Sequence, residues 1–407
     1  MKTLTYLNIL ILTLAGMGTG CSQDINDPVF DYNLKSAKVI ETNNDFGFEL
    51  LNRVIIQDDS PNLMISPASV SIALGMAYNG AETTTRDAFE QVLNYEGLSR
   101  EEINEITKEL INVLVTNVTG NLLEIANSMW YDKGFPVEQD FIDLNSNYYD
   151  AEVREIDFRT ASAVNTINDW VSANTHGKID GIIDAIDPEM MMILINAIYF
   201  NSDWEVEFDP ENTQKRPFYR EDKSLYGQVE MMEMENTFNV AFTDDFEAVE
   251  LPYKNKKFSM FLFLPSEGSN VEKLAGTLDG KTWNAFLEEF TERKNFTITM
   301  PKFKFEYKRS LAEDLKSMGL EVAFTDRADF SGISPVDLLI SDVIHKTYID
   351  VNEEGTEAAA VTAIEFGITS IGPVNGIRLD RPYLFAITEN SSKSILFIGM
   401  VQEPIYE

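Results

Sequence analysis

The chain has one cysteine and two histidines among its 407 residues. A lone cysteine rules out an intrachain disulfide, so stability has to come from the buried core. The two histidines, His176 and His345, lie far apart in sequence. That leaves no base beside a nucleophilic serine or cysteine, and no set of sulfur and nitrogen ligands for zinc. The HExxH, GxSxG and GxxxxGK[ST] patterns and paired cysteines are missing as well. Neither catalytic residues nor a metal nor a cofactor is expected. Basic residues are scarce too, 32 against 67 acidic ones, for a net charge of −35. So little positive charge argues against nucleic acid as a partner. The acidity reads first as solubility at a cell surface and second as steering of cationic partners. Carboxylate pairs such as Glu353/Glu354 and Asp58/Asp59 arise by chance in so acidic a chain. An acidic surface lipoprotein enzyme such as a glycosidase, or a calcium site, is therefore the weaker reading.

No apolar run at the start of the chain is long enough to span a membrane. Leu4 to Leu14 follows the positive Lys2 and precedes a small-residue stretch, Gly16 to Gly20. This is the layout of a signal peptide, residues 1–20. Cys21 follows directly and resembles the acylated cysteine of a bacterial lipoprotein, although Gly18 stands where that pattern usually has a larger apolar residue. The expectation is a lipid anchor at Cys21 holding the protein to the membrane of a bacterial cell envelope, at the outer membrane or cell surface. The alternative is an ordinary secretory peptide and a secreted protein. Residues 21–36 are polar and aspartate-rich, a flexible tether.

From Ala37 helical spacing sets in, with Val39, Phe46, Phe48, Leu50, Leu51 and Val54 on one face. Further helices are expected over Ala68–Ala77, Thr83–Leu93, Ser99–Val115, Val137–Tyr148, Ala161–Asn174, Thr282–Lys294 and Arg309–Met318. Met190–Phe200 is a continuous apolar run that reads as a strand buried on both faces. Strands dominate from Gln228, with separate ones over Val229–Met234 and Phe238–Thr243 and strong alternation from Asn295 to Tyr307. Helices crowd the first half and strands the second, with no βαβ alternation and no repeat. The fold class is α+β with mixed or antiparallel sheets, one domain over residues 37–407.

The stretch from Val351 to Asn375 stands apart. No lysine or arginine occurs between Lys346 and Arg378. Read with period two, Thr356, Ala358, Ala360, Thr362, Ile364 and Phe366 form an uncharged face, opposite Glu357, Ala359, Val361, Ala363 and Glu365. It ends in Gly367-Ile-Thr-Ser-Ile-Gly-Pro373, which reads as an exposed loop. So long a loop is uncommon and often functional. This one also has the composition of a strand.

Many separate motifs, from about Ala37 onward, resemble the serpin family and occur in its order. They include Asn62-Leu-Met-Ile-Ser-Pro-Ala-Ser69, Asn196-Ala-Ile-Tyr-Phe200 with Trp204, Phe208 and Thr213, and Glu250-Leu-Pro-Tyr253. Met300-Pro-Lys302, His345-Lys346, Asp350-Val-Asn-Glu-Glu-Gly-Thr-Glu-Ala-Ala-Ala360, Arg381-Pro-Tyr-Leu-Phe385 and Leu396-Phe-Ile-Gly-Met400 follow. The resemblance implies three β-sheets, about nine helices and an exposed reactive-centre loop. It also implies a suicide inhibitor of serine, and also cysteine, proteases. The target cleaves the loop and forms an acyl-enzyme. The loop then inserts into the central sheet as a new strand and drags the protease with it. A monomer is expected.

On this resemblance Glu353, Glu354, Gly355, Thr356, Glu357, Ala358, Ala359, Ala360, Val361 and Thr362 form the loop hinge. Their composition suits insertion, because a buried, unpaired charge costs several kcal/mol and Gly355 lets the backbone swing. Val361 is bulkier than usual there but lies on the outer face. Ser66, Ser69, Asn196 and His345 correspond to the shutter beneath the sheet, and Trp204 to the breach where insertion begins. Family spacing puts the reactive bond at Thr369–Ser370. Small Thr369 after Ile368 suits elastase-like serine proteases or papain-like cysteine proteases, with Phe366 as a chymotrypsin-like alternative. The missing basic residues disfavour trypsin-like targets. The competing reading within the family is a non-inhibitory member that acts as a binding module.

Overall fold

In the computed structural model, the described residues are 30 and 33–406, apart from 119, 188 and 357–374. The helix expected from Ala37 begins at Leu34 and runs to Gln57. The Asn33 side chain accepts the amides of Lys35 and Ser36, which satisfies the free N–H groups of the first turn. Val39, Ile40, Phe46, Leu50, Leu51 and Val54 are buried along its core face. The second helix, Pro67–Tyr78, starts from Ser66 as N-cap with proline in its first turn. It is buried almost throughout, lying between the strands Met192–Asp203 and Ile395–Val401. Its small residues make that position possible. A methyl group at Gly75 would sit 2.7 Å from the Tyr149 hydroxyl.

Nine α-helices occur among the described residues, seven of them before Gly280. Sixteen strands occur beside them. They form a seven-stranded and a nine-stranded hydrogen-bonded network. The expected three sheets merge into two because the strand Leu225–Phe242 is 18 residues long and carries one sheet into the next. Its first part pairs with Gln214–Tyr219, its middle with Thr291–Pro301 and its end with Phe246–Pro252. Two strands were expected over this stretch. Its apolar alternation breaks at Glu235–Thr237, where the ladder with Thr291–Pro301 shifts register between Arg293 and Phe296 and then resumes, so one strand spans both expected ones.

Other boundaries moved for similar reasons. The alternation from Asn295 to Tyr307 belongs to two strands in different sheets, Thr291–Pro301 and Phe303–Ser310, which meet at Lys302. The helix expected over Thr282–Lys294 runs from Gly280 to Glu289, because Thr291 already pairs with Val240. The helix expected over Arg309–Met318 starts later, at Ala312, because Arg309 and Ser310 finish a ladder with His345 and Ile344, and past Leu315 it continues as a π-helical stretch, Lys316–Leu320.

The seven-stranded sheet is the central one. Its path runs from Phe303–Ser310 through Ile344–Val351 and Gly355–Thr356 to Met192–Asp203, Asn121–Asp132 and Thr116–Val118, with Ala151–Ile156 alongside. Among the described residues, Ile344–Val351 and Met192–Asp203 share no ladder. Gly355 and Thr356 join them, with Thr356 opposite both Val351 and Ser202. Toward the far end of these strands lies a cavity of about 150 Å³, between Met192–Asn196, Ser341–His345 and the buried helix. Met192, Ile193 and Leu194, expected to be buried on both faces, border it and are only partly buried.

The core under the nine-stranded sheet centres on Trp283, which is fully buried against Phe48, Phe261 and Phe263. Trp283→Ala should cost about 3–5 kcal/mol, read as a lower urea midpoint at unchanged slope.

Candidate functional site

The site is built where the strand Met192–Asp203 ends and the Ile344–Val351 strand turns back. Trp204, 2 % exposed, stacks on Tyr253 at 4.5 Å with the rings 12° from parallel. Its indole N–H donates to the carbonyl of Asn352 at 3.0 Å, and its backbone N–H to that of Glu354 at 2.9 Å. The Phe208 amide takes the Glu353 carbonyl at 2.9 Å. Asn352 shapes the turn. Its amide donates to the Gly355 carbonyl at 3.0 Å, and its side-chain oxygen accepts the amides of Glu354 and Gly355. The result is a pivot in which nearly every backbone group has a partner, as burial demands.

Gly355 is required here by contact. A Cβ would lie 2.2 Å from the Ser202 carbonyl oxygen. Thr356 is 3 % exposed, and its hydroxyl meets the Tyr253 hydroxyl at 2.6 Å. Burial pushes that phenol's pKa far up, so Tyr253 stays neutral. The Glu353 carboxylate accepts from Thr213 at 2.7 Å and pairs with the Lys302 ammonium at 3.1 Å, both acid and base being nearly buried. Glu354 lies at the mouth of the site. Burial first, then the charges of Glu207, Asp203 and Glu353, raise its pKa above the usual carboxylate value.

A second cluster lies deeper in the sheet. The two strands that face each other across the opening are each pegged to the start of the buried helix. From one side, His345 Nε2 accepts the Ser66 amide at 3.0 Å. From the other, Asn196 Oδ1 accepts the Ser69 hydroxyl. The Ser66 hydroxyl links the pegs, accepting the Ser69 amide at 3.3 Å and donating to the Leu396 carbonyl at 2.6 Å. The Asn196 amide donates onward to Asn127 at 2.6 Å, and the Asn127 amide to the Tyr149 carbonyl at 2.6 Å. His345 and Asn196 thus meet through the helix cap, not each other.

Nine residues singled out from sequence are therefore joined in two places. Glu353, Glu354, Gly355 and Thr356 form the pivot with Trp204, and Ser66, Ser69, Asn196 and His345 form the pegs. Glu357 to Thr362, Phe366, Ile368, Thr369, Ser370 and Cys21 lie outside the described residues. Sequence reasoning did not single out Tyr253, Lys302, Asn352 or Asn127 as site residues. Tyr253, Lys302 and Asn352 do sit inside the family-like motifs, and the signal for Lys302 was a lysine ending an apolar strand with no acid beside it. Among the described residues no group of three or more His, Cys, Asp or Glu is placed to hold a metal ion.

A family model described as serpin (serine protease inhibitor) matches residues 41–404. A serpin-like protein of Methanosarcina acetivorans is 36% identical over an alignment of 435 positions that covers 98% of each chain. Among solved structures, the thermophilic serpin tengpin in its native state superposes with a TM-score of 0.80 at 34% identity, over 90% of this chain and 94% of its own. Thyroxine-binding globulin in complex with thyroxine gives a TM-score of 0.82 at 28% identity, over 91% and 100% respectively.

The His345 peg titrates. Burial lowers its pKa from 6.5 to about 4, and Nε2 accepts a hydrogen bond only while unprotonated. The unfolded chain binds this proton first. The contribution to stability is therefore complete above pH 6.5 and is lost as pH falls toward 4, on the order of 3 kcal/mol in total. His345→Gln, which keeps an acceptor and does not titrate, should flatten the fall in urea midpoint between those pH values.

Proposed function

The chain belongs to the serpin family, and we propose that it is an inhibitory member that traps serine and cysteine proteases as acyl-enzymes. Serpins are generally protease inhibitors, and that family-level role is the starting point. The observation that carries the finer reading is the strand Gly355–Thr356. It is already seated between Ile344–Val351 and Met192–Asp203, with Thr356 buried. The residues that follow in sequence, Glu357-Ala-Ala-Ala-Val-Thr362, are small or uncharged at every second position from Thr356, a composition that would let an inserted strand continue without burying an unpaired charge.

In this reading a protease cleaves Thr369–Ser370 and is held through Thr369 as an ester or thioester. The freed segment continues the strand begun at Thr356. Trp204 and Tyr253 form the floor on which it starts, and the Glu353–Lys302 pair holds the pivot still. The Ser66 and Ser69 pegs must let the two flanking strands accept the newcomer. Ile368 and Thr369 fit elastase-like and papain-like pockets, and the net charge of −35 favours encounter with cationic enzymes.

Incubation with a pancreatic-type elastase should give an SDS-stable complex and release a peptide beginning at Ser370. Thr356→Arg should be cleaved at the same bond without complex, because the guanidinium would have to enter a site that is 3 % exposed. Cleavage of the unmodified protein with no complex would overturn the inhibitory reading in favour of a binding module.

We also propose that Cys21 is acylated and anchors the protein to the cell envelope, on the strength of the signal-peptide layout before it. Expressed in a bacterium with labelled palmitate, the full chain should carry the label and pellet with membranes. Cys21→Ser should do neither, and an unlabelled parent protein would defeat the idea.

A further inference from the structure

Lys302 stands where one sheet hands the chain to the other, between the strands Thr291–Pro301 and Phe303–Ser310. Its side chain is 10% exposed. An ammonium withdrawn this far from water needs neutralisation and close partners. Two carboxylates supply charge, Glu353 at 3.1 Å and Glu230 at 3.7 Å. A third partner is aromatic: the ammonium lies 4.2 Å from the centre of the Tyr406 ring, within the range of a cation–π contact.

The Tyr406 ring is delivered to that place by backbone pairing. The Lys304 amide donates to the Ile405 carbonyl at 2.8 Å, so residues 405 and 406 run along the outer strand of the central sheet. The phenol end lies against Asp350 and Asn352, and its pKa is pushed up to about 12, by burial first and then by the Asp350 charge. Tyr406 therefore touches Lys302, the buried partner of the Glu353 carboxylate in the pivot. Through Lys302 it bears on Glu353, whose carbonyl takes the Phe208 amide.

We propose that Tyr406 is a positioning residue for loop insertion, its ring holding the Lys302 ammonium against Glu353 so that Gly355–Thr356 stays seated in the sheet before cleavage. The proposal rests on the trapping reading for its consequence, not for its geometry. A seated Thr356 gives insertion a start already made. Where the pivot loosens, insertion begins from an unseated hinge and slows, and the acyl-enzyme has longer to hydrolyse. More inhibitor is then consumed per protease trapped.

Two measurements on the full chain separate these levels. Amide hydrogen exchange at Trp204 and Phe208, whose N–H groups bond the carbonyls of Glu354 and Glu353, reads the pivot with no protease present. Tyr406→Ala and Tyr406→Leu should speed exchange there by about fivefold, the worth of one partly buried cation–π contact. Tyr406→Phe keeps the ring and should match the parent protein. In the elastase assay, Ala and Leu should raise the moles of inhibitor consumed per mole of enzyme trapped, and Phe should not. Unchanged exchange in Tyr406→Ala overturns the proposal. So does parent-like exchange in Tyr406→Leu, which would make the contact plain packing, and so does Ala-like exchange in Tyr406→Phe, which would move the effect to the hydroxyl. A parent protein that never traps elastase defeats the trapping reading alone, and the exchange rates still decide the role of Tyr406.

Discussion

Two strand edges face each other in the middle of the central sheet, and among the described residues they meet through Gly355 and Thr356 alone. Backbone N–H and C=O groups on such edges are strong hydrogen-bonding groups and favour the addition of a strand. That demand organises the surroundings. Gly355 is glycine because Ser202 approaches too closely for a side chain. Thr356 is small and carries one hydroxyl, which Tyr253 satisfies. The Trp204–Tyr253 stack provides a rigid floor, and Asn352 closes the turn by bonding almost everything within reach.

On the proposed inhibitory reading, the same sheet must be well held and still able to admit a strand. Pegging achieves this with few contacts. His345 and Asn196 belong to opposite edges, and both end on the cap of one helix, through Ser66 and Ser69. In a low-dielectric interior such a polar network is strong when complete and weak once one member changes state. His345 is the member that changes state, as pH falls toward 4, because its role requires a neutral ring.

Charge divides the molecule. The large acidic excess lies mostly at the surface, whereas the pivot buries one basic residue, Lys302, and surrounds it with Glu353, Glu230 and the face of Tyr406. Removing one partner from a buried ion pair costs more than the pair itself contributes, since the charge left behind stays out of water. The pivot is therefore specific in its geometry and sensitive to substitution.

Local pattern was enough for the α+β class, for most elements and for the hinge composition from Glu353 to Thr362, because those features depend on periodicity and residue size within a few positions. Ordered motifs supplied Ser66, Ser69, Asn196, His345 and Trp204. Ladders shifted the boundaries at Leu225–Phe242 and around Lys302, since pairing with a distant strand overrides local alternation. Tertiary structure alone decided that Lys302 meets both Glu353 and Tyr406, that Tyr253 receives Thr356, and that Ser66 and His345, 279 positions apart, share a hydrogen bond. Such contacts join surfaces brought together by the whole fold, and no spacing along the chain encodes them. On the inhibitory reading proposed above, the sequence determined what kind of strand the loop would become. The folded sheet decided where that strand is already begun and what holds its first two residues in place.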